Sequence, residues 1–186
     1  MNHVTPIPYF VTLECIRVLN FAVQIKNKKN MKTGIAKAAE VLNKLLKINY
    51  DRVECYQKAE EKTPELNLKS VFRNMADEGK KNASDLTREI EKIGGDTHGS
   101  STPKRGKVYH AWMDIKALFS GKNRESILDF CESGEDAAHA AYYLAISTGD
   151  LTMGARQMVR NQQTAWKVLY DVILTFRDGR PVYMPT

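Results

Sequence analysis

Apolar residues recur every three or four positions along four long stretches of this 186-residue chain. That spacing places them on one face of an α-helix, so each stretch predicts an amphipathic helix. The four predicted helices cover about residues 34–62, 68–93, 123–147 and 151–177. Six prolines and eleven glycines are too few to divide the chain into many short strands and turns. The pattern therefore predicts an all-α fold.

Residues that begin or end helices stand close to these limits. Thr33 is the predicted N-cap of the first helix, and Asp150 is the predicted N-cap of the fourth. Thr63 ends the first helix because the residue before a proline resists the α region. A pair of glycines that begins at Gly94 ends the second helix.

The lengths of the predicted connections constrain the topology. Short turns after the first and third helices force antiparallel hairpins, whereas roughly 28 residues separate the second helix from the third. A connection of that length can run along the ~39 Å of a helix of about 26 residues, so the second and third helices can be parallel. Within it, residues 108–119 predict a short amphipathic helix. The chain is thus predicted to be a ferritin-like four-helix bundle, two antiparallel helical hairpins joined by a long crossover containing a short extra helix.

The predicted bundle domain covers residues 34–180, between an N-terminal extension at 1–33 and a C-terminal tail at 181–186. Most of the extension shows no sustained helical period, and it contains a run rich in lysine and asparagine. Met31 directly follows that run, which suggests that translation starts there and that the residues before it are not translated. The alternative is a weakly ordered arm that belongs to the protein. An intact mass of the native protein distinguishes the two hypotheses.

The net charge of +6 is concentrated at the N-terminus. Residues 1–33 hold five basic residues and one acidic residue, which leaves a charge of +2 for the rest of the chain. The other tight basic cluster, at residues 104–107, lacks the regular aromatic neighbours of a surface that stacks nucleic-acid bases. We therefore expect no nucleic-acid partner. Binding of an anionic surface by the basic N-terminal arm is a separate, third hypothesis.

The three cysteines Cys15, Cys55 and Cys131 lack CxxC spacing, so they predict neither a disulfide framework nor a zinc site. Cys131 is expected to be a buried apolar thiol. Residues 9–25 are apolar, but they carry two charged residues and fall short of the ~20 residues that span a bilayer. These features predict no membrane span and favour a reducing, cytoplasmic location.

A ferritin-like two-iron site has a demanding signature. It takes a glutamate from each of two helices and a Glu-x-x-His pair from each of the other two, because two irons need bridging carboxylates and imidazole nitrogen. Glu78 is followed three residues later by Lys81 instead of histidine, and neither Glu-x-x-His pair is present. The carboxylates left as weak candidates for metal ligands are Glu135, Glu78 and Glu60. The sequence predicts no catalytic residue and no cofactor site.

Helical-wheel positions place Asn49, Glu135 and Gln162 among inward-facing apolar residues near the midpoints of their helices. Antiparallel hairpins should bring the three to a similar height. A buried carboxylate costs several kcal/mol unless it is hydrogen-bonded, and the two amides can donate to it. Asp51 and Glu54 are expected to point away from the centre. We predict a central polar layer that fixes register and oligomeric state, as inward amides do in helical bundles, instead of a metal cage.

Several short stretches form a recognisable combination. They are Leu42-Asn43-Lys44-Leu45-Leu46 with Asp51 and Tyr56, Gly94-Gly95-Asp96, Gly99-Ser100 leading to His110-Ala111-Trp112, Cys131-Glu132-Ser133-Gly134-Glu135-Asp136, Gln162, and Arg177-Asp178. Over nearly all of residues 34–180 the chain thereby resembles a bacterial domain-of-unknown-function family of ferritin-like four-helix-bundle proteins. The resemblance implies a relative of ferritins and bacterioferritins without an established activity. Family members often carry His-Asp near the end of the last helix, where this chain has Tyr170-Asp171.

Two functions follow as hypotheses. The first is a non-catalytic cytoplasmic bundle, associated with stress, that acts through self-association or a protein partner. The second is a ferritin-like metal-binding protein or oxidase that uses Glu135 with Glu78 or Glu60 to hold iron or another divalent metal. The complete amphipathic pattern and the missing ligands favour the first, because a fold alone does not imply a function.

Overall fold

The computed structural model describes residues 9–97 and 124–179, with side chains described at residues 24, 26–97 and 124–179. These residues form four α-helices and no strand, which confirms the predicted all-α class for this part of the chain. The helices are α1 Tyr9–Lys62, α2 Leu66–Lys92, α3 Arg124–Ser147 and α4 Met153–Arg177. Within the described part, no helix combines the length and the apolar character that crossing a membrane requires.

Helix α1 begins at Tyr9, although the sequence pattern predicts a start near residue 34. Side chains from Lys26 to Gly34 are exposed, so this part of the helix has no buried face that a hydrophobic period can reveal. Extension of an existing helix costs far less than a new nucleus, so the helix continues without such a face. Thr33 accordingly lies inside α1 and donates from its hydroxyl to the carbonyl of Lys29 at 3.0 Å, so its prediction as an N-cap is wrong. The translation start at Met31 stays a prediction.

The first hairpin, α1 with α2, is closely packed at two glycines. A Cβ atom at Gly79 would lie 2.8 Å from Cγ2 of Val53, and one at Gly95 would lie 2.7 Å from Cβ of Ala39. Val53 thus lies beside the middle of α2, and Ala39, which precedes it on α1, lies beside the residues that follow α2. The two helices are therefore antiparallel, as predicted from the short turn. Gly94 ends α2 with a φ of 76°, a conformation that favours glycine.

The second hairpin, α3 with α4, turns through a short connection in which Leu151 is buried. Helix α4 starts after that residue, and the hydroxyl of Thr152 accepts a hydrogen bond from the backbone N–H of Ala155 at 3.1 Å. Thr152 is therefore the N-cap, and the prediction of Asp150 for this role is wrong. Burial of Leu151 in the core moves the start of the helix beyond Asp150.

Contacts between the hairpins fix the direction of α3. Asn49 and Arg52 on α1 contact Tyr142 and Glu135 on α3, so residue numbers rise along one helix and fall along the other. Arg124, the first residue of α3, also forms an ion pair at 3.2 Å with a residue in the turn between α1 and α2. Helix α3 is thus antiparallel to α1 and parallel to α2. The predicted short helix at 108–119 lies outside the described residues.

The core lies between the two hairpins and receives apolar side chains from all four helices. Its buried members include Leu42, Leu46, Tyr56, Phe72, Met75, Leu86, Leu128, Tyr142, Val159 and Trp166. Such burial supplies the main favourable free energy of a bundle, since each large apolar side chain contributes roughly 1.5–3 kcal/mol. Burial of a polar side chain in this core costs free energy, so the polar side chains found there define the candidate site.

Candidate functional site

The three residues predicted to form a polar layer are buried, and hydrogen bonds join two of them through a tyrosine. Asn49, Glu135 and Gln162 are 0%, 0% and 5% exposed. The amide of Asn49 donates to the hydroxyl of Tyr142 at 2.7 Å, and that hydroxyl donates to Oε1 of Gln162 at 3.1 Å. Nε2 of Gln162 in turn donates to the backbone carbonyl of Asn82 at 3.2 Å. One polar chain therefore crosses the bundle and contacts all four helices.

The carboxylate of Glu135 is held by a buried arginine, which was not predicted from the sequence. Arg52 is 1% exposed, and its Nε donates to Oε1 of Glu135 at 3.0 Å. The hydroxyl of Tyr56 donates to the same oxygen. Nη1 of Arg52 also donates to Oδ1 of Asn49 at 3.3 Å, which joins the ion pair to the polar chain. The expectation that the amides of Asn49 and Gln162 donate to Glu135 is therefore wrong.

A second buried stripe on α1 explains why the sequence reading missed the arginine. Ile48, Arg52, Cys55 and Ala59 are all buried and follow one another at spacings of four, three and four residues. Arg52 of this stripe contacts Glu135 on α3, whereas Val53, on the stripe used for the prediction, lies against Gly79 on α2. A helix that packs against two neighbours buries an arc wider than one stripe. An arginine in line with three small or apolar residues was the available signal.

The same wide arc accounts for Asp51, which was expected to point away from the centre. Asp51 is 8% exposed, and Nζ of Lys47 lies 3.1 Å from its Oδ2. Burial raises the pKa of Asp51 despite the opposing effect of Lys47. The prediction is therefore wrong for Asp51, while Glu54 is exposed as expected.

An aromatic ring lies against the guanidinium group of Arg52. Its central carbon lies 4.7 Å from the ring centroid of Trp166, close enough for a cation–π interaction. The ring of Tyr142 lies 5.8 Å from that of Trp166 on the buried side. Burial by itself would lower the pKa of Arg52, but the charge of Glu135 raises it above its ordinary value. The guanidinium group therefore stays charged.

The two buried tyrosines of the site stay protonated and act as hydrogen-bond donors. Burial, followed by the charge of Glu135, raises the pKa of Tyr56 well above its ordinary value. Burial also raises the pKa of Tyr142 to about 12, against the opposing hydrogen bond from Asn49. Both groups therefore resist ionisation at pH values where an exposed tyrosine loses its proton.

We expect this difference to appear as a loss of stability at alkaline pH. The pKa of Tyr142 is about 12 in the folded protein, compared with about 10 in the unfolded chain. Its stabilising contribution is therefore complete below pH 10 and is lost as the pH rises towards 12, by roughly 2–3 kcal/mol. Tyr142→Phe has no such titrating group. The difference in free energy of unfolding between this variant and the wild type, measured with urea, should therefore shrink between pH 9 and 12.

Tyr143→Phe is the matched control for that experiment, because the neighbouring Tyr143 is 64% exposed. It should change the free energy of unfolding by less than about 0.5 kcal/mol at neutral pH. Stability profiles of Tyr142→Phe and wild type that stay parallel from pH 9 to 12 would contradict the assignment.

Several polar atoms of the site lack a complete set of partners. Among the described residues, no hydrogen-bond partner reaches Oε2 of Glu135, Nη2 of Arg52, Nε1 of Trp166 or Nδ2 of Asn82, and all four atoms are buried. Each such atom typically costs about 1–3 kcal/mol. An all-apolar centre of the same shape would avoid this cost. The cluster is therefore poorly explained by stability alone.

The three carboxylates considered as metal ligands do not converge. Glu135 is paired with Arg52, Glu78 lies 3.8 Å from Nζ of Lys81, and Glu60 lies 2.6 Å from Nη2 of Arg73. Over the residues that the structure describes, no group of three or more His, Cys, Asp or Glu side chains is arranged to hold a metal ion. This donor set does not fit a ferritin-like two-iron centre, which needs several carboxylates and imidazole nitrogen together.

Further polar contacts join α3 and α4 towards the end of the second hairpin where α4 ends. The hydroxyl of Tyr170 donates to Oδ1 of Asp136 at 2.8 Å, and Arg177 forms an ion pair with Glu132. Burial and then the contact with Asp136 raise the pKa of Tyr170. Tyr170 and Arg177 thus link α4 to α3.

Comparison with known proteins gives a family but no described activity. A family model with the description "domain of unknown function (DUF2383)" matches residues 37–148. The matched part contains Asn49, Arg52, Glu135 and Tyr142, so it includes the ion pair. No protein of curated function matches the chain, and no solved structure matches it. Because the family model matches more than half of the chain, the protein belongs to this domain-of-unknown-function family, DUF2383.

Proposed function

We propose that the protein is a bacterial, cytoplasmic, ferritin-like bundle in which an arginine takes the place of the metal, and that it acts without catalysis through self-association or a protein partner. The ferritin-like assignment is supported by the parallel directions of α2 and α3. A chain that leaves the end of α2 must travel the length of the bundle to begin α3, which is the path of a ferritin-like crossover. A role in stress is part of the same proposal.

The ion pair between Arg52 and Glu135 is the observation that carries this proposal. A buried carboxylate at the centre of such a bundle needs a positive counter-charge, which metal ions supply in ferritin-like enzymes. Here the guanidinium group supplies it from the same chain, at 3.0 Å. With Arg52 in place, a metal ion would have to displace a buried, charged and hydrogen-bonded side chain.

The other groups at the centre also favour a non-catalytic role. The carboxylate is engaged by Arg52, and the raised pKa values of Tyr56 and Cys55 disfavour the ionised forms that act as nucleophiles or metal ligands. The alternative, a metal-binding protein or oxidase that uses Glu135 with Glu78 or Glu60, requires these separated carboxylates to converge. Their present partners oppose that arrangement.

Exposed apolar side chains on the second hairpin support an interaction role. Tyr143 and Leu144 are each 64% exposed, Val168 is 59% exposed and Met153 is 88% exposed. Large apolar side chains scattered singly at the surface are common, whereas contiguous apolar patches are typical of contact surfaces, and Tyr143 and Leu144 are consecutive residues of α3. Such a surface suits a second copy of the chain or another protein.

The test is metal analysis and ferrous oxidation on protein that was purified without chelators. We expect fewer than about 0.2 iron, manganese or zinc ions per chain, and oxidation of ferrous iron at the rate of buffer, because Arg52 occupies the counter-charge position. Glu135→Ala, Glu78→Ala and Glu60→Ala should leave the metal content unchanged. Light scattering on the same preparation gives the native mass.

Either of two outcomes would overturn the proposal. The first is about two irons per chain together with accelerated oxidation, with both lost in Glu135→Ala, which would establish the metal alternative. The second is a strictly monomeric protein whose native mass does not change when Tyr143 and Leu144 are replaced by aspartate. That result would remove the interaction role.

A further inference from the structure

Two free thiols face each other across the interface between the hairpins. Cys55 lies on α1 and Cys131 on α3, and both are buried at 0% exposure. The two side chains are close enough for Cys131 to raise the pKa of the Cys55 thiol, in addition to the effect of burial. Neighbouring contacts fix the positions of the two cysteines along their helices. Tyr56, the residue after Cys55, donates to Glu135, which lies one helical turn after Cys131. The sequence pattern gave no indication of this pairing, because the two cysteines are far apart in the chain.

We propose that Cys55 and Cys131 form an internal disulfide bond that links the two hairpins when the bundle opens transiently in the presence of a low-molecular-weight disulfide. The thiolate of one cysteine attacks that disulfide, forms a mixed disulfide and releases one small thiol. The thiolate of the second cysteine then attacks the protein sulfur of the mixed disulfide, forms the Cys55–Cys131 bond and releases the second small thiol. Two protein thiols are oxidised and one small disulfide is reduced to two thiols.

The closed bundle resists this reaction. Both sulfur atoms are inaccessible, and the thiolate is the reactive form. Burial, followed by the effect of Cys131, raises the pKa of Cys55, so little thiolate exists in the closed state. Reaction therefore depends on separation of α1 from α3.

The same interface contains features that lower the cost of opening. Oε2 of Glu135 and Nη2 of Arg52 lack hydrogen-bond partners among the described residues, and water can reach both atoms once the hairpins part. The charged pair also regains part of its hydration in the open form. Opening at this interface thus exposes the two thiols together, and closing brings them back into contact. The bond that results holds together a bundle that has opened under oxidising conditions.

The test uses Cys15→Ser, which leaves Cys55 and Cys131 as the two cysteines of the full-length chain. The protein is incubated with glutathione disulfide at neutral pH, with and without a urea concentration well below the unfolding midpoint. We expect a monomer lighter by two hydrogens, a linked Cys55–Cys131 peptide after digestion, and formation that is several-fold faster in urea. The chain loop between the cysteines is long, so the linked form should melt on the order of 10 °C higher than the reduced form.

Two controls keep the interpretation unambiguous. Cys15→Ser combined with Cys55→Ser, or with Cys131→Ser, should yield only a glutathione adduct at the remaining thiol and no rise in melting temperature. The wild type, digested after the same treatment, should show the Cys55–Cys131 link with Cys15 modified separately. Stable double adducts without a link, a link to Cys15 in preference, or linkage only above the unfolding midpoint would each refute the proposal.

Discussion

Glu135→Gln is expected to lower the free energy of unfolding by about 3–5 kcal/mol, although glutamine has nearly the same shape as glutamate. The substitution removes the negative charge that balances Arg52, which is 1% exposed and keeps its positive charge. An uncompensated buried charge is far more costly than the loss of an ordinary hydrogen bond. The measurement is urea unfolding at neutral pH, monitored by circular dichroism.

Glu132→Gln is the matched control for this prediction. Glu132 lies on the same helix and forms an ion pair with Arg177, but its side chain is 27% exposed. Partly exposed pairs contribute about 0–1 kcal/mol, so this variant should stay close to the wild type. Replacement of both buried partners, with Arg52→Met and Glu135→Leu, should recover most of the stability lost in Glu135→Gln. A loss below about 1 kcal/mol for Glu135→Gln would show that the pair is not buried as described.

Trp166→Ala should lower the free energy of unfolding by about 3–5 kcal/mol. Trp166 is among the largest fully buried side chains, and it packs against Tyr142 in the core. Its removal leaves a cavity and also takes away the ring beneath the guanidinium group of Arg52. The same unfolding measurement applies, with the midpoint and the slope compared separately.

Two further variants, Trp166→Phe and Val168→Ala, show how much of this loss of stability depends on the aromatic ring and how much on the buried position. Phenylalanine keeps an aromatic ring, and Nε1 of Trp166 has no hydrogen-bond partner among the described residues, so Trp166→Phe should cost less than half as much as Trp166→Ala. Val168 is 59% exposed on the same helix, and Val168→Ala should change stability by less than about 0.5 kcal/mol. Equal effects of Trp166→Ala and Val168→Ala would contradict the assigned position of Trp166 in the core.

The polar centre, unlike the apolar core, fixes the register of α1 against α3. Apolar stripes can slide by one turn and still bury similar areas, whereas the contacts of Asn49, Arg52 and Glu135 are satisfied in one register of α1 against α3. Within the described part of the chain, Oε2 of Glu135 and Nη2 of Arg52 have no hydrogen-bond partner, so this register has some cost in stability. In this bundle, the paired charge at the centre thus accompanies one defined register of α1 against α3.

The helices of the bundle could be predicted from the sequence because each leaves a local signal. The period of apolar residues indicated α2, α3 and α4 to within a few residues, and the glycines near residue 94 marked the end of α2 correctly. The start of α1 could not be predicted in this way, since the exposed side chains from residue 26 to residue 34 carry no period of buried positions. The cap at Thr152 was missed because it depends on burial of the preceding Leu151.

The amino-acid sequence by itself determined the helix class, the short hairpin turns and the inward positions of Asn49, Glu135 and Gln162, because these depend on residues within one or two helical turns of each other. Only the tertiary structure decided that Arg52 neutralises Glu135, that Tyr142 joins Asn49 to Gln162, and that Cys55 meets Cys131. Those contacts join residues on different helices, and a local period does not record which neighbour a second face of α1 will meet. The physical reason is that the balance of a buried charge depends on the whole set of groups around it, which exists only after the helices have packed.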